Sequence, residues 1–159
     1  MDFTEVISKR KSVRKFSDTP VERDMLDAIV AIARTAPSSR GSKSSEFLII
    51  EDKDTIEALS QMRESGSGFM KGAKAVIVVL GDESKTDLWV DNCAISATLM
   101  QLAVTAAELG SCWVHINGRP RYKAHPEGPY AEEYVRELLG VKDGLRIYCA
   151  IAIGYPAEE

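Results

Sequence analysis

The chain has 159 residues, 45% of them hydrophobic, and this size and composition predict one globular domain over residues 1–159. Its 24 acidic and 20 basic residues give a formal net charge of −4, which argues against nucleic acid, a partner that needs a broad basic surface. The first residues lack the pattern of a signal peptide, and no apolar run reaches the ~18 residues of a membrane span, so we expect a cytoplasmic protein with no membrane partner.

The first third of the chain alternates helical patterns with polar loops. Apolar spacing from Phe3 predicts a short helix that ends near Arg10. Thr19, with a proline directly after it and an acid three positions on, predicts the N-cap of a second helix that stops before Pro37. The polar loop that follows leads into an apolar strand at 46–50.

The rest of the chain continues this alternation. Asp54 predicts the N-cap of a short third helix, and an apolar, β-branched run predicts a strand at 74–80. Two further strands are expected at 112–116 and 145–153, with an amphipathic helix over 130–139 between them. Four strands interleaved with at least five helices predict a three-layer α/β/α sandwich.

A long helix is predicted over residues 86–109, with Gly110 at the position where a left-handed cap is usual. This segment has almost no polar face, so the helix is expected to be buried nearly all round. Two interpretations stay open. Small residues such as Ala94, Ala97 and Ala103 permit close packing against a second copy of the chain, or the chain's own domain surrounds the helix.

The cysteines and histidines give no metal or disulfide pattern. Cys93, Cys112 and Cys149 are widely spaced and lie in apolar sequence, so they are interpreted as small core residues. His125 lies in a polar loop with no Cys or second His at ligand spacing, so no metal site is expected.

The most unusual segment is the basic segment, residues 9–15, which reads Lys-Arg-Lys-Ser-Val-Arg-Lys. It carries five cations and a hydroxyl without an acid, on an acidic protein. Arginine and lysine with a serine hydroxyl are suited to a phosphate, whereas composition alone favours a solvated basic turn. Neither G-x-G-x-x-G nor G-x-x-x-x-G-K-[ST] follows a predicted strand, so side chains would have to hold such a phosphate.

Five short segments, in their order and spacing, resemble the flavin-dependent nitroreductase family. Residues 10–16 read RKSVRKF, similar to the family's R-x-S-x-R-x-F segment after the first helix. Residues 36–39 read APSS and precede EFLII at 46–50, similar to the family's A-P-S-x loop and first core strand. Residues 108–113 read ELGSCW after the long helix, and 153–159 read IGYPAEE, like the family's strand-terminal G-Y-P. The resemblance covers nearly the whole chain.

The resemblance implies an α+β fold with a central mixed, mostly antiparallel sheet flanked by helices. It also implies an obligate homodimer with FMN in clefts at the interface, and ping-pong transfer of electrons from NADH or NADPH to a small-molecule acceptor such as a nitroaromatic or quinone. Because the flavin carries the chemistry, no catalytic side chain is expected.

By resemblance, the basic segment holds the cofactor. Arg10 and Ser12 are expected to bind the ribityl phosphate, and Lys11 adds a further charge beside them. Arg14 is expected near the ribityl chain and the pyrimidine edge of the flavin, where a cation favours the reduced anion.

A second group of candidate residues is implied to come from the other subunit. Pro37, Ser38 and Ser39 are expected to line the flavin ring. The family often continues this loop with Q-P-W, whereas this chain has Lys-Ser-Ser at 43–45. Ser44 is kept as a candidate cofactor contact within that altered stretch.

The third group follows the Trp113 strand. Val114, His115 and Ile116 match the stretch whose backbone passes the flavin ring, with an amide N–H reaching the hydride-carrying nitrogen. His115 is therefore expected to act through its backbone rather than as a general acid. The alternative, an imidazole that donates a proton to the acceptor, stays open.

An alternative of another class is a flavin-binding or sensory module with the same fold and little turnover. Two features favour it. One is the altered stretch at 43–45, and the other is the absence, after residue 159, of the basic segment that usually adds phosphate ligands and embraces the partner subunit. The basic segment near the N-terminus is then expected to carry most of the phosphate binding.

Overall fold

The computed structural model describes residues 1–158 and has helices on both faces of a four-stranded sheet. The helices are α1 (Phe3–Lys9), α2 (Arg23–Ala33), α3 (Lys53–Leu59), α4 (Trp89–Ala106) and α5 (Ala131–Leu139). The strands are β1 (Ser45–Ile50), β2 (Ala75–Asp82), β3 (Gly110–His115) and β4 (Leu145–Gly154). Two 3-10 turns lie at Ser39–Gly41 and Gly68–Gly72. The expected α+β fold of three layers is confirmed.

The strands run in the order β1-β2-β4-β3, so β1 and β3 are the outer strands. All pairings among these four strands are antiparallel, and the parallel character expected of a mixed sheet is confined to one isolated bridge between Ser12 and Ser111. The basic segment therefore meets the sheet at the outer strand β3.

Side chains of the central strands point alternately to the two faces of the sheet, so the interior has two hydrophobic cores. Ile77 and Val79 of β2 face α2 and α4, where they pack with Leu26 and Met100. The alternate residues of β2, Val76, Val78 and Leu80, face α3, α5 and the turn at 68–72. Because both faces are covered, β2 is a continuous apolar run, which is why its sequence signal is clear.

The second helix begins later than predicted. Thr19 is not its N-cap: the helix starts after Glu22, whose side chain makes no capping hydrogen bond. The preceding residues are held extended by tertiary contacts, since the Ser17 N–H donates to the Tyr155 carbonyl at 2.8 Å and the Val21 side chain is buried. Local capping chemistry is overridden here by packing.

Two other predicted caps are also wrong. Asp52, not Asp54, is the N-cap of α3, and its carboxylate accepts from the Thr55 N–H at 2.9 Å. Gly110 is the first residue of β3 rather than the end of the long helix, and Glu108 takes the left-handed conformation with φ +63°. The helix therefore ends earlier than the predicted boundary at 109.

One face of the long helix is not covered within this chain, so the chain's own domain does not surround the helix completely. Ile95 is 42% exposed, and Leu99 and Leu102 are only partly buried. On α1, which packs against α4, Phe3 is 72% and Ile7 48% exposed. These five residues are referred to below as the open apolar residues, and their exposure bears on the question of a second subunit.

An ion-pair network fastens α5 to β4. The Arg146 guanidinium donates to both Glu132 oxygens, at 2.8 and 3.0 Å, and the Arg136 guanidinium and the Ile147 N–H donate to the same carboxylate. Burial alone would raise the pKa of Glu132, but the hydrogen bonds and charges of these partners lower it. Glu132 is thus a paired structural anion.

The three cysteines are free thiols in the interior, as expected of core residues. Burial raises the pKa of the Cys93 thiol to about 11, so it stays protonated and unreactive at neutral pH. None of the helices in residues 1–158 combines the length and the apolar character that crossing a bilayer requires.

Candidate functional site

The basic segment is fixed across the start of β3 and the end of β4 by main-chain hydrogen bonds. The Val13 N–H donates to the Ser111 carbonyl at 2.8 Å. Further along, the Ala157 N–H donates to the Lys15 carbonyl at 3.0 Å. With the bond from Ser17, two residues after the segment, three hydrogen bonds join residues 13–17 to two separate parts of the chain, which fixes the path of the segment.

Two paired glycines allow this close approach. Gly110 and Gly154 are direct partners in the β3–β4 register. A Cβ at Gly110 would lie 2.9 Å from the Val13 side chain, and one at Gly154 would lie 2.8 Å from the Phe16 ring. Because Val13 and Phe16 occupy this space against the sheet, the polar side chains between them remain at the surface.

The predicted phosphate ligands are exposed and have free donors. Arg10 lies at the C-cap of α1, and Lys11, Ser12 and Arg14 follow it. Among residues 1–158, the side chains of these four form no ion pair and no hydrogen bond. Three of them, Lys11, Ser12 and Arg14, line a groove of about 590 Å³, and Arg10 directly precedes them in the chain. The other residues that line the groove are Val13, Lys15, Pro156, Ala157 and Glu158.

Three unpartnered donor side chains that line a groove, with Arg10 next to them in the chain, fit the phosphate of FMN chemically. An anion there would receive charge-assisted hydrogen bonds from groups that have no other partner. Glu158 also lines the groove, but it is not within ion-pair distance of any cation in the described part of the chain. The Arg14 guanidinium lies 6.0 Å from the centre of the Phe69 ring, so the Arg14 side chain lies beside the turn at 68–72.

The loop that carries Pro37, Ser38 and Ser39 has a strained but well-bonded backbone. Arg40 and Lys43 have φ values of +52° and +47°, a left-handed conformation that side chains rarely adopt. The Ser38 hydroxyl accepts from the Lys43 N–H at 2.9 Å, which closes the loop on itself. Pro37 is exposed, and both serines are partly buried.

Asn92, which the sequence analysis did not single out, holds this loop from the first turn of α4. Its Oδ1 accepts from the Ser39 N–H at 3.0 Å. Its Nδ2 lies 2.9 Å from the Ser44 hydroxyl, 3.1 Å from that of Ser39 and 3.2 Å from that of Ser42. Ser44, a candidate cofactor contact, is fully buried and bonded inward to this amide. The available sequence signal was an amide side chain within a mainly apolar helix.

At the other end of β3, the three candidate residues alternate in exposure. Val114 and Ile116 are buried in the core toward α3 and α5, whereas His115 is exposed. The Trp113 Nε1–H donates to His115 Nδ1 at 3.2 Å, so the neutral imidazole carries its proton on Nε2. The indole covers that side of the ring, and this partial burial, followed by the charges of Arg63 and Arg119, lowers the pKa of His115.

The candidate residues fall into two groups at opposite edges of the sheet. The basic segment and residues 114–116 both lie along β3. The loop with Pro37 leads directly into β1, three strand spacings or about 14 Å across the sheet from β3. A single chain therefore does not bring the two groups together.

An antiparallel four-stranded sheet between two helical layers, crossed at one edge by a cation-rich segment, defines a nitroreductase-like α+β protein. Residues 7–65 and 57–155 match the family model described as Nitroreductase family. The chain belongs to the nitroreductase family.

Solved structures of similar proteins agree with this assignment. An FMN-dependent nitroreductase from Clostridium difficile R20291 is 37% identical with a TM-score of 0.92, over 99% of this chain and 89% of that one. A nitroreductase family protein from Clostridium novyi NT is 25% identical with a TM-score of 0.84, over 99% and 87%. A protein from Desulfovibrio desulfuricans solved in complex with FMN shares the fold, with a TM-score of 0.79 at 23% identity, over 98% and 86%.

A curated relative from Archaeoglobus fulgidus is similar over most of its length. It is 27% identical over 97% of this chain and 85% of its own, and its inferred activity is NADH dehydrogenase/NAD(P)H nitroreductase.

Proposed function

We propose that this protein is a homodimeric, FMN-dependent oxidoreductase. It takes hydride from NADH or NADPH and reduces a nitroaromatic, quinone or similar acceptor by a ping-pong mechanism. The observation that carries the proposal is the basic segment, whose free cations and serine are fixed beside a groove on β3. The FMN dependence of the Clostridium difficile relative and the inferred activity of the Archaeoglobus fulgidus relative support the same reading.

In this proposal the chain's side chains bind and orient the cofactor. Arg10 and Ser12 bind the ribityl phosphate, Lys11 adds charge beside it, and Arg14 lies near the pyrimidine edge of the ring. FMN, when bound, supplies the electron carrier between the nicotinamide donor and the acceptor. The positive charge of Arg14 favours the reduced, anionic form of such a carrier.

The division of the site between two sheet edges supports a homodimer. The loop with Pro37, Ser38 and Ser39 lies at the β1 edge of its own chain, so these residues reach the basic segment only from a second subunit. The open apolar residues of α1 and α4 offer surface that a second copy would bury. Both observations favour packing of the long helix against a second copy of the chain over burial within its own domain.

No side chain is assigned as a catalytic acid. His115 is positioned by Trp113 and has a lowered pKa, so its imidazole is mostly neutral at pH 7. Its proposed contribution, with Val114 and Ile116, is the backbone that passes the flavin ring. Catalysis then consists of positioning and electrostatics.

Reduction of the purified protein tests the proposal directly. A yellow protein whose flavin absorbance is bleached by NADH or NADPH, and restored by an added acceptor, supports the oxidoreductase. A yellow protein that neither donor bleaches instead indicates the flavin-binding module with little turnover.

The phosphate assignment has its own test in Arg10→Ala. A charge-assisted bond to phosphate contributes about 1.5 to 3 kcal/mol, so the variant should bind FMN about ten- to a hundredfold more weakly. Lys53→Ala is the matched control, because this exposed lysine follows the end of β1 that lies away from the Pro37 loop, and β1 lies at the edge of the sheet opposite the basic segment. Titration of the apoprotein with FMN measures the affinity of both variants. Unchanged affinity in the Arg10 variant would remove the assignment of Arg10 to the phosphate.

A further inference from the structure

A second pair of cations lies near His115, outside the basic segment. Arg63 follows α3, and Arg119 lies in the loop after β3. Neither guanidinium forms an ion pair or a hydrogen bond within the described residues. Arginines without an acidic partner are usual on an open surface, so the surroundings decide whether these two form a site.

Arg63 lies on a bonded turn rather than on a loose surface loop. The fully buried Ser67 hydroxyl accepts from the Arg63 N–H at 3.3 Å and lies 2.7 Å from the Ser60 carbonyl. Gly66, with φ +93°, has no side chain beneath the Arg63 guanidinium, whose Nη1 lies 3.6 Å from the position of a Cβ. The turn therefore fixes the backbone of Arg63 and leaves room for its head group.

The loop that carries Arg119 is fastened to this turn. The Glu64 N–H donates to the Arg121 carbonyl at 2.7 Å, and the Arg121 guanidinium donates to the Gln61 carbonyl at 2.9 Å. The carboxylate of Glu64, the residue that follows Arg63, accepts from the Lys123 N–H at 2.9 Å and forms no ion pair with Arg63. Arg121 and Glu64 are structural here.

Arg119 is tied equally closely to the end of β3. Its N–H donates to the Ile116 carbonyl at 3.1 Å, which places it in the turn directly after His115. These bonds bring the loops that carry Arg63 and Arg119 together at the end of β3, where His115 is the last residue of the strand. The mutual electrostatic effect of these three residues is consistent with this arrangement: besides burial, Arg119 lowers the pKa of Arg63, and both arginines lower the pKa of His115.

We propose that Arg63, Arg119 and the Nε2–H of His115 form a binding subsite for an anionic group, a carboxylate or a phosphate, on a small molecule that exchanges electrons at the flavin. This inference rests on the proposed function, because the end of β3 is where residues 114–116 are assigned to the flavin ring. Two guanidinium groups and an imidazole N–H supply the donors such an anion requires.

The anion has two possible sources with the same chemistry. It is either a carboxylate on the electron acceptor or the additional phosphate that distinguishes NADPH from NADH. A neutral acceptor lacks the carboxylate, and NADH lacks the additional phosphate. Comparing a carboxylate acceptor with its neutral analogue, and NADPH with NADH, therefore tests each source separately.

The first experiment measures anion binding without turnover. The chain has two histidines, His115 and His125, so the imidazole signals of the full-length apoprotein are few enough to follow by NMR. Benzoate or inorganic phosphate should raise the pKa of His115 by about one unit, the size of a neighbouring opposite charge, and leave His125 as an internal reference. The rise should be lost in Arg63→Gln and in Arg119→Gln and kept in Lys53→Gln. A pKa of His115 that benzoate and phosphate leave unmoved overturns the proposal.

The second experiment identifies the source in the holoprotein. We compare kcat/KM for 4-nitrobenzoate with that for 4-nitrobenzamide, and for NADPH with that for NADH. In Arg63→Gln and Arg119→Gln, one of the two ratios should fall about ten- to a hundredfold, whereas Lys53→Gln should change neither. Constant ratios in both arginine variants overturn the subsite. Absence of turnover with every donor and acceptor refutes the proposed function instead, and the NMR titration then still decides whether the anion binds.

Discussion

Asn92 provides a strong test of how the loop before β1 is held. Its side chain is 2% exposed and contacts one backbone N–H and three serine hydroxyls of that loop. The Nδ2 group has two hydrogens for three hydroxyl acceptors, so at most three of the four contacts are full hydrogen bonds at once. Asn92→Ala removes all of them and leaves the Ser39 N–H and the Ser44 hydroxyl without a partner.

The size of the effect follows from these contacts. Three hydrogen bonds at about 1 kcal/mol each give a loss of about 3 kcal/mol. If the loop relaxes, relief of the left-handed conformations at Arg40 and Lys43 returns about 1 kcal/mol each. We therefore expect Asn92→Ala to lower the free energy of unfolding by about 1 to 3 kcal/mol.

Urea unfolding of the apoprotein measures this loss, with Thr98→Ala as the matched control. Thr98 lies on the same helix but is exposed, and its hydroxyl bonds only the Ala94 carbonyl one turn earlier. The control should change the free energy of unfolding by less than about 0.5 kcal/mol. A second readout is local: the Ser39 amide hydrogen, bonded to Asn92 in the wild type, should exchange faster in Asn92→Ala.

The result that would refute the reasoning is specific. If the Ser39 amide is as protected in Asn92→Ala as in the wild type, the loop is not held by this amide. The same conclusion follows if the loss of stability is no larger than in the Thr98 control.

Three further outcomes are expected. Gly154→Ala should destabilise the fold by about 1 to 3 kcal/mol, because the new Cβ would lie 2.8 Å from the Phe16 ring. Gly72→Ala is the control and should be tolerated, since there is open space around Gly72. Thermal unfolding compares the stabilities of the two variants. The folded-state pKa of Glu132 lies below its ordinary value of 4.5, so the stabilisation that the ionised carboxylate gives above that pH is lost on acidification. Glu132→Gln should therefore reduce the dependence of the free energy of unfolding on pH below about pH 4.5. An unchanged pH dependence would count against the ion pairs of Glu132 with Arg136 and Arg146. His115→Gln should leave flavin reduction by NAD(P)H within a few fold in stopped-flow measurements, whereas a ~100-fold slowing confined to the oxidative half-reaction would indicate a general acid.

Strongly patterned elements were predictable from the sequence. The last strand, expected at 145–153, is observed at Leu145–Gly154, because an apolar run buried on both faces leaves little ambiguity. The start of α2 was not predictable, because the contacts that keep residues 17–21 extended come from the far end of the chain. Gly110 was misassigned for a related reason: it has no side chain because Val13 lies against it, not because a helix ends there.

The candidate site was predictable in its residue types and not in its arrangement. Five cations without an acid predict an exposed basic segment, and the side chains of Arg10, Lys11 and Arg14 are exposed and unpaired with described residues. That the segment binds an anion stays a proposal. The separation of the loop at Pro37 from the basic segment depends on the strand order, which is set by long-range pairing. Asn92 was missed because isolated polar residues in a mainly apolar helix carry no periodic signal.

The hydrogen bonds that fix the basic segment also determine when it takes shape during folding. Val13, Lys15 and Ser17 are bonded to residues 111, 157 and 155, about a hundred positions or more later in the chain. Closing such distant contacts is entropically unfavourable until the intervening strands have paired. A chain emerging from the ribosome therefore presents its N-terminal cations long before β3 and β4 exist to orient them. The proposed anion site is expected to form only in the final stage of folding, after synthesis of the last strand.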